Sequence, residues 1–177
     1  MQDWISKTIN SRRLQLTKKQ FVFHFFFVFF IPATLILIVQ IYVHSSNIPP
    51  SQLLPLKNAT LKFASFFSLA YGIVQYTRLQ MTEAIVELSN DEFHALCNDL
   101  VTVMNWIVEA KGENYLVCTT PFKWYNWGTL VTIVNTGESV MFNSICDLYN
   151  RPATVSFGQN SRNYRALKTA FNYSNLK

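Results

Sequence analysis

The sequence predicts an α+β protein that is held in a membrane. The expected architecture is a two-helix transmembrane hairpin followed by a small domain of antiparallel sheet flanked by helices, in the order α-β-β-β-β-α. Two apolar runs in the first half of the chain predict the hairpin. Short alternating segments separated by turn residues, with helical periodicity on either side, predict the domain.

The charge distribution separates the two halves of the chain. Residues 1–78 carry eight Lys/Arg and one acid, whereas residues 79–177 carry seven Lys/Arg and nine acids. The basic excess therefore lies beside the apolar runs and not on the folded domain, where a nucleic-acid-binding protein would concentrate it. We expect membrane lipid as a partner and no nucleic acid.

The first apolar run, Phe21–Val43, contains no Asp, Glu, Lys or Arg. A helix of 23 residues is long enough to cross a hydrocarbon core of about 30 Å at about 1.5 Å per residue. Pro32 lies within it, where membrane helices tolerate proline. No small-x-small cleavage site follows Val43, which favours a retained anchor over a cleaved signal peptide. Residues 21–43 are predicted as transmembrane helix 1.

The second apolar run is weaker, and its assignment decides the topology. Residues 44–62 are rich in proline and predict an external loop. Residues 63–78 are predicted as transmembrane helix 2. This stretch is short for a span, but the side chains of Lys62 and Arg78 can reach the interfaces. The alternative is a core helix of the domain.

The positively charged residues predict the orientation. Five Lys/Arg precede the first run and two lie in the loop 44–62, so residues 1–20 are predicted as a basic cytoplasmic segment. A return through residues 63–78 then places the domain 79–177 in the cytoplasm. We expect a multi-pass membrane protein. Residues 1–20 form either an interfacial helix on anionic lipid or a frayed basic tail.

The domain begins and ends with helices. The helix of the second run is expected to continue through residues 79–88, and a new helix is expected to start at Ser89 or Asn90 with acids in its first turn. Helical spacing predicts that this new helix buries Phe93, Leu96, Leu100, Val103 and Met104. The strand candidates are 106–111, 114–119, 128–134 and 139–146, with a possible edge at 154–157. A last helix is expected to follow residues 159–161 and to bury Tyr164, Leu167 and Phe171. Helices should cover one sheet face and leave the other more open.

The chain shows no recognisable catalytic, cofactor or metal motif. His94 and Cys97 lie three residues apart on a predicted helix, but a nucleophile–base pair also needs an orienting third group, and none is evident. The histidines are scattered, and there is neither a Cys-X2-Cys pair nor a glycine-rich phosphate loop. Cys97, Cys118 and Cys146 are expected to be buried or free thiols in a reducing compartment. We expect a protein that is not an enzyme and has no cofactor.

Two segments are candidates for contact with a partner or with the membrane. Trp124, Tyr125 and Trp127 lie in a connection between strands that holds four aromatic residues in six positions. Three interpretations are open for these rings: they fold back as a lid on the core, they contact a partner protein, or they dock at the lipid surface. Arg162 and Arg165 share a face of the last helix and either rest on anionic headgroups or form a solvated surface.

Four segments of the domain carry a family resemblance: Met104-Asn105-Trp106, Trp124-Tyr125-Asn126-Trp127-Gly128, Asn143-Ser144-Ile145-Cys146-Asp147 and Ser156-Phe157-Gly158-Gln159-Asn160-Ser161-Arg162-Asn163. Together they resemble an uncharacterised bacterial domain that is associated with short membrane anchors and with the soluble extensions of some rhomboid-like membrane proteins. The resemblance covers about Leu88 to Phe171, and it implies a bacterial inner-membrane protein. The serine and histidine motifs of rhomboid proteases are absent, so it implies no protease activity.

The features together predict a non-catalytic membrane protein that acts as an accessory or assembly subunit of a membrane complex. Its cytoplasmic domain would bind other membrane protein subunits. The alternatives are a membrane-surface or lipid-sensing module and a membrane-embedded enzyme that uses His94 and Cys97.

Overall fold

The computed structural model describes residues 2–46, 50–121, 128–147 and 158–174. Within them the chain is α+β, with five helices and a five-stranded antiparallel sheet. The elements in chain order are α1 Gln2–Ser11, α2 Lys18–Ser45, α3 Pro50–Thr77, β1 Thr82–Ala84, α4 Asn90–Met104, β2 Ile107–Lys111, β3 Tyr115–Thr119, β4 Thr129–Asn135, β5 Val140–Cys146 and α5 Gln159–Ser174.

The sheet has the strand order β1-β5-β4-β3-β2, and every neighbouring pair is antiparallel. The four predicted strands are confirmed as β2 to β5, within one residue at each end. Residues 135–138 form the turn between β4 and β5, in which Thr136 N donates to Ser139 O and Gly137 takes φ 91°. The possible edge at 154–157 lies outside the described residues.

The expected helix through residues 79–88 is wrong. Helix α3 ends at Thr77, and Thr82–Ala84 pairs with the outer side of β5 as strand β1. Leu79 and Met81 are buried on one sheet face, and Ala84 and Val86 on the other. This spacing of two is that of extended chain.

Helices cover both sheet faces, so the expectation of one open face is also wrong. One face packs on α4 and α5 around Phe93, Phe142, Leu167 and Phe171. On the other face α1 and the segment that follows it pack against the sheet. That second core comprises Ile5, Leu14, Leu79, Met81, Tyr115, Val117, Leu130, Val134, Met141 and Ile145.

The N-terminal segment is therefore part of the folded domain and not a frayed tail, whereas its contact with lipid stays a prediction. Ile5 and Leu14 are buried against the sheet. Leu14 N donates to Leu79 O at 2.8 Å, and Met81 N donates to Arg12 O at 2.9 Å. These bonds fasten the chain that enters α2 to the chain that leaves α3.

The helices α2 and α3 differ from the predicted hairpin. Residues 50–62 of the predicted external loop are helical, because α3 already begins at Pro50. Among the described residues one helix, α2, is long and apolar enough to cross a membrane, judged by length and composition alone. A second span at 63–78 is therefore not supported. Helix α3 is as long as α2, but it includes Lys57, Lys62 and several polar residues that lower its mean hydropathy.

Helices α2 and α3 run antiparallel and pack along their lengths. The buried residues of α2 are Gln20, His24, Val28 and Pro32, spaced four apart. Ser68 Oγ donates to Val28 O at 3.1 Å, and a Cβ on Gly72 would lie 3.7 Å from Val28 Cγ1. Small residues on α3 thus permit close packing. Both helices direct large apolar side chains outward, among them Phe29, Ile38, Ile41, Phe66 and Leu69.

The two domain helices are set by local signals. Ser89 caps α4 in a capping box with Glu92, which confirms the predicted start. Phe93 and Leu100 are buried as predicted, but Val103 is 79% exposed. Val103 still lies within α4, which ends at Asn105 with φ 53°, so it is exposed because it lies on the side of the helix away from Phe93 and Leu100. Leu167 and Phe171 on α5 are fully buried as predicted.

Candidate interaction surfaces

The predicted aromatic contact residues Trp124, Tyr125 and Trp127 lie outside the described residues. The described chain ends at Pro121 and resumes at Gly128. Thr120 N donates to Thr129 O at 2.9 Å, so the chain leaves and re-enters at the same end of the sheet. Their contact role stays a prediction.

Arg162 and Arg165 are both exposed on α5. The helix is fixed on the sheet by Asn163, which is fully buried and donates from Nδ2 to Thr129 Oγ1 at 2.8 Å and to Ser144 Oγ at 2.9 Å. Because Asn163 faces the sheet, its neighbour Arg162 and Arg165 one turn later face solvent.

The first turn of α5 lies near the ends of α2 and α3 that adjoin the sheet. A cleft of about 290 Å³ between them is lined by residues that include His24, Gln75, Arg78, Asn160 and Ser161. His24 Nε2 lies 2.9 Å from Gln75 O and joins the two long helices there. The start of α5, and with it Arg162, is thus level with the end of the helix pair.

Further cations surround the same end of the helix pair. Arg13 donates from Nη1 to Tyr76 O, and its guanidinium lies 4.0 Å from the centre of the Tyr76 ring. Lys19 lies over the ring of Phe23 at 5.6 Å. Arg12 pairs with Glu83 at 3.1 Å, although its side chain is 71% exposed. A ring of basic groups at the boundary between apolar helices and a domain matches the electrostatics of an anionic lipid surface.

A second surface lies at the β2 edge of the sheet. Val103, Ile107 and Val108 are 79%, 53% and 46% exposed, and they follow one another where α4 leads into β2. We call these three residues the β2 edge patch. Among the described residues no segment pairs with the outer side of β2. A bulge between Val108 and Ala110 interrupts the alternation of side chains along β2.

The opposite edge of the sheet is built differently. Strand β1 has three residues, and Arg12 and Glu83 form an ion pair beside it. Short, charged edges discourage pairing with another chain. Strand β2 is longer and presents apolar side chains, with Glu109 and Lys111 as its charged residues. Strand β2 also carries charges and a bulge, so its greater length and its exposed apolar side chains are what favour it for a partner strand.

The His94 and Cys97 pair does not present a nucleophile to solvent. Cys97 is 1% exposed, and burial raises the pKa of its thiol to about 12, with Cys118 adding to the effect. His94 Nε2 lies 3.0 Å from Glu113 O, so the ring is held by the backbone of the turn between β2 and β3. A thiol with this pKa is protonated at neutral pH and is a poor nucleophile.

The three cysteines are buried and free, as the sequence predicts. Burial raises the pKa of Cys118 to about 12 and that of Cys146 to about 11. In the described part of the chain, no group of three or more His, Cys, Asp or Glu residues could hold a metal ion.

Comparison with known proteins adds no relative. No family model, no curated protein and no solved structure matches the chain. The resemblance to a bacterial membrane-anchored domain therefore stays a prediction, and function has to be argued from the surfaces described above.

Proposed function

We propose that the chain is a non-catalytic, membrane-anchored accessory or assembly subunit whose α+β domain binds a partner protein at the edge strand β2. The observation that carries this proposal is the exposed β2 edge patch beside a strand whose outer side is unpaired in the described structure. The partner would supply an extended segment, because an open edge offers a row of backbone donors and acceptors.

Helix α2 is the proposed membrane anchor. Its composition and its outward-facing apolar side chains support this placement. Because α1 and the sheet pack together at one end of the helix pair, a chain that crosses through α2 must return. We propose that the chain returns across the membrane through α3, within residues 63–78, because α3 packs against α2.

The basic residues support a cytoplasmic domain. Lys7, Arg12, Arg13, Lys18 and Lys19 precede the main body of α2, and such residues stay on the cytoplasmic side. The proposed location is the bacterial inner membrane, with the N-terminus and the domain in the cytoplasm.

The proposed contact combines backbone and side-chain energy. A partner strand would form hydrogen bonds along β2 and cover Ile107 and Val108, one on each sheet face. Fully burying one such side chain contributes roughly 1.5–3 kcal/mol before the cost of association. Because Ile107 and Val108 are 53% and 46% exposed, covering one of them contributes about half of that, roughly 1 kcal/mol. Removing the apolar character of one position should therefore weaken the complex severalfold.

The test uses two matched substitutions in the full chain, expressed at its native level and solubilised in mild detergent. Val108→Lys places a charge on the open edge. Ile85→Lys places the same charge on a branched apolar side chain that is 81% exposed next to β1. We expect partner proteins that co-purify with the unchanged chain to be lost from Val108→Lys and retained by Ile85→Lys.

Two results would contradict the proposal. One is an unchanged chain that purifies alone as a monomer, and the other is equal retention of partners by both variants. Thermal unfolding of the variants provides the folding control, because both sites are exposed and neither substitution should alter the core.

A second candidate, a membrane-surface or lipid-sensing module, is favoured by one observation. Arg162 and Arg165 are exposed, and α5 starts level with the proposed membrane boundary. In nanodiscs of anionic lipid, amides of α5 should exchange with deuterium more slowly than in nanodiscs of neutral lipid. Replacement of both arginines by Glu should abolish the difference, and an identical exchange rate in both lipids would count against this role.

A further inference from the structure

A cavity of about 300 Å³ lies between the N-terminal segment and the sheet, and Ala110 of β2 is part of its lining. Its outer wall comprises Trp4, Leu14 and Leu16, and its floor is formed by Val117, Leu130 and Thr132. Helix α1 thus lies as a strap across a gap in the second core. This volume is at the lower end of the range found for small-molecule sites.

The lining is mostly apolar. Besides these residues it includes Ala110, Tyr115 and the polar residues Gln15, Thr17 and Gln20, and none of the described residues that line it is Asp, Glu, Lys, Arg or His. A charged group brought into such a site would lose hydration without gaining a counterion. The occupant that fits is therefore a neutral molecule with an apolar body.

The polar residues of the lining are engaged in the local structure, with one exception. Thr17 and Gln20 bond each other in the capping box of α2, and Gln15 Nε2 donates to Ser11 Oγ at 2.9 Å. Thr132 is fully buried on β4, and within the described residues its Oγ1 has no hydrogen-bond partner. Buried hydroxyls without a partner are rare in proteins and imply an unseen group.

A second buried polar group lies beside Thr132. Asn143 lies directly opposite Thr132 on β5, and its Nδ2 donates to Arg78 O and Gln80 O. Its Oδ1 is buried and has no partner among the described residues. A cross-strand pair on one face brings such groups within about 5 Å.

We propose that this cavity binds a neutral, single-chain amphiphile whose hydroxyl or carbonyl bonds Thr132 and whose apolar chain lies between α1 and the sheet. The start of α2 forms one side of the cavity through Gln20, so a molecule dissolved in the bilayer has a short route to it. The inference rests on the proposed membrane placement of α2 and does not depend on the β2 edge patch or on any protein partner.

The test uses the full chain in nanodiscs, with 10-bromodecan-1-ol as the probe. Bromine quenches indole fluorescence on contact, and Trp4 lines the cavity. A Trp4→Phe variant measures the quenching that arises from other tryptophans and from probe dissolved in the bilayer. We expect the Trp4-dependent part to saturate with 10-bromodecan-1-ol and not with the charged 10-bromodecanoate.

Two substitutions at Thr132 separate a ligand site from a hydrated gap. Thr132→Val removes the hydroxyl at constant shape and should weaken binding about fivefold, as expected for one neutral hydrogen bond. Thr132→Ser retains the hydroxyl and should bind within about twofold of the unchanged chain. Quenching that never saturates, or equal midpoints for the unchanged chain and Thr132→Val, would overturn the proposal.

Discussion

Asn163 is expected to hold α5 on the sheet, and its replacement by Ala should loosen the whole domain. The side chain is fully buried and donates two hydrogen bonds of 2.8 and 2.9 Å to Thr129 and Ser144. Each is worth about 1 kcal/mol net. The two acceptors keep other partners, because Thr129 Oγ1 lies 3.1 Å from Thr120 Oγ1, and Ser144 Oγ donates to Asn160 Oδ1. With the small cavity left behind, we expect a loss of about 2–3 kcal/mol.

The buried cysteines provide the assay. Cys146 is 5% exposed, so a maleimide reaches it when the domain opens. Since about 1.4 kcal/mol corresponds to a tenfold change, Asn163→Ala should label roughly 30- to 140-fold faster at neutral pH. Peptide mass spectrometry of the full chain in membranes identifies which cysteine has reacted.

The matched control is Asn172→Ala, an exposed asparagine on the same helix. It should label at the rate of the unchanged chain. If Asn163→Ala also labels at that rate, the buried network does not hold α5, and the reasoning is refuted.

Two further predictions concern titration. Because burial raises the pKa of Cys97 to about 12, the folded state keeps a proton that the unfolded thiol releases above about pH 8.5. The free energy of unfolding should therefore fall as the pH rises from about 9 towards 12. Urea unfolding at pH 8 and 10.5 measures this fall, which should be smaller for Cys97→Ala than for the unchanged chain. An equal fall in both proteins would contradict this prediction. The Ser89 hydroxyl and then its backbone N–H lower the pKa of Glu92. Glu92 therefore stabilises the fold above its unfolded pKa, and this contribution is lost as the pH falls through its folded pKa. In Ser89→Ala an NMR titration should show the pKa of Glu92 raised, and an unchanged value would contradict the capping box.

Elements with strong local signals could be predicted from the sequence. Strands β2 to β5 alternate or are rich in β-branched residues and are separated by turn residues. The start of α4 has Ser89 and Glu92 at capping-box spacing. These signals depend on residues close in sequence, and the structure agrees with them within a residue or two.

Elements that depend on distant contacts could not be predicted in this way. Strand β1 has three residues and exists because β5 offers an edge. Helix α1 is short, and its apolar residues suit a lipid surface as well as the sheet face that they cover. Hydropathy indicated only the last part of α3, because the first part of the same helix is more polar. That first part is supported by packing against α2.

The candidate surfaces divide in the same way. Arg162 and Arg165 were identified from helical spacing, and both are exposed on α5. The exposure of Ile107 and Val108 follows from the strand order, which alternation alone does not reveal. The unpartnered hydroxyl of Thr132 depends on the gap beneath α1. No sequence signal distinguishes that threonine from others in the sheet.

The proposed anchor is tested most directly by the accessibility of single introduced cysteines to an impermeant maleimide in intact cells. The native thiols are buried and protonated, so they give little background. Ser45→Cys, at the far end of α2, should label from outside. Ser11→Cys and Asn172→Cys should label after the membrane is permeabilised. Equal labelling of Ser45→Cys and Asn172→Cys from one side, or recovery of the full chain in the soluble fraction without detergent, would contradict a membrane-crossing α2.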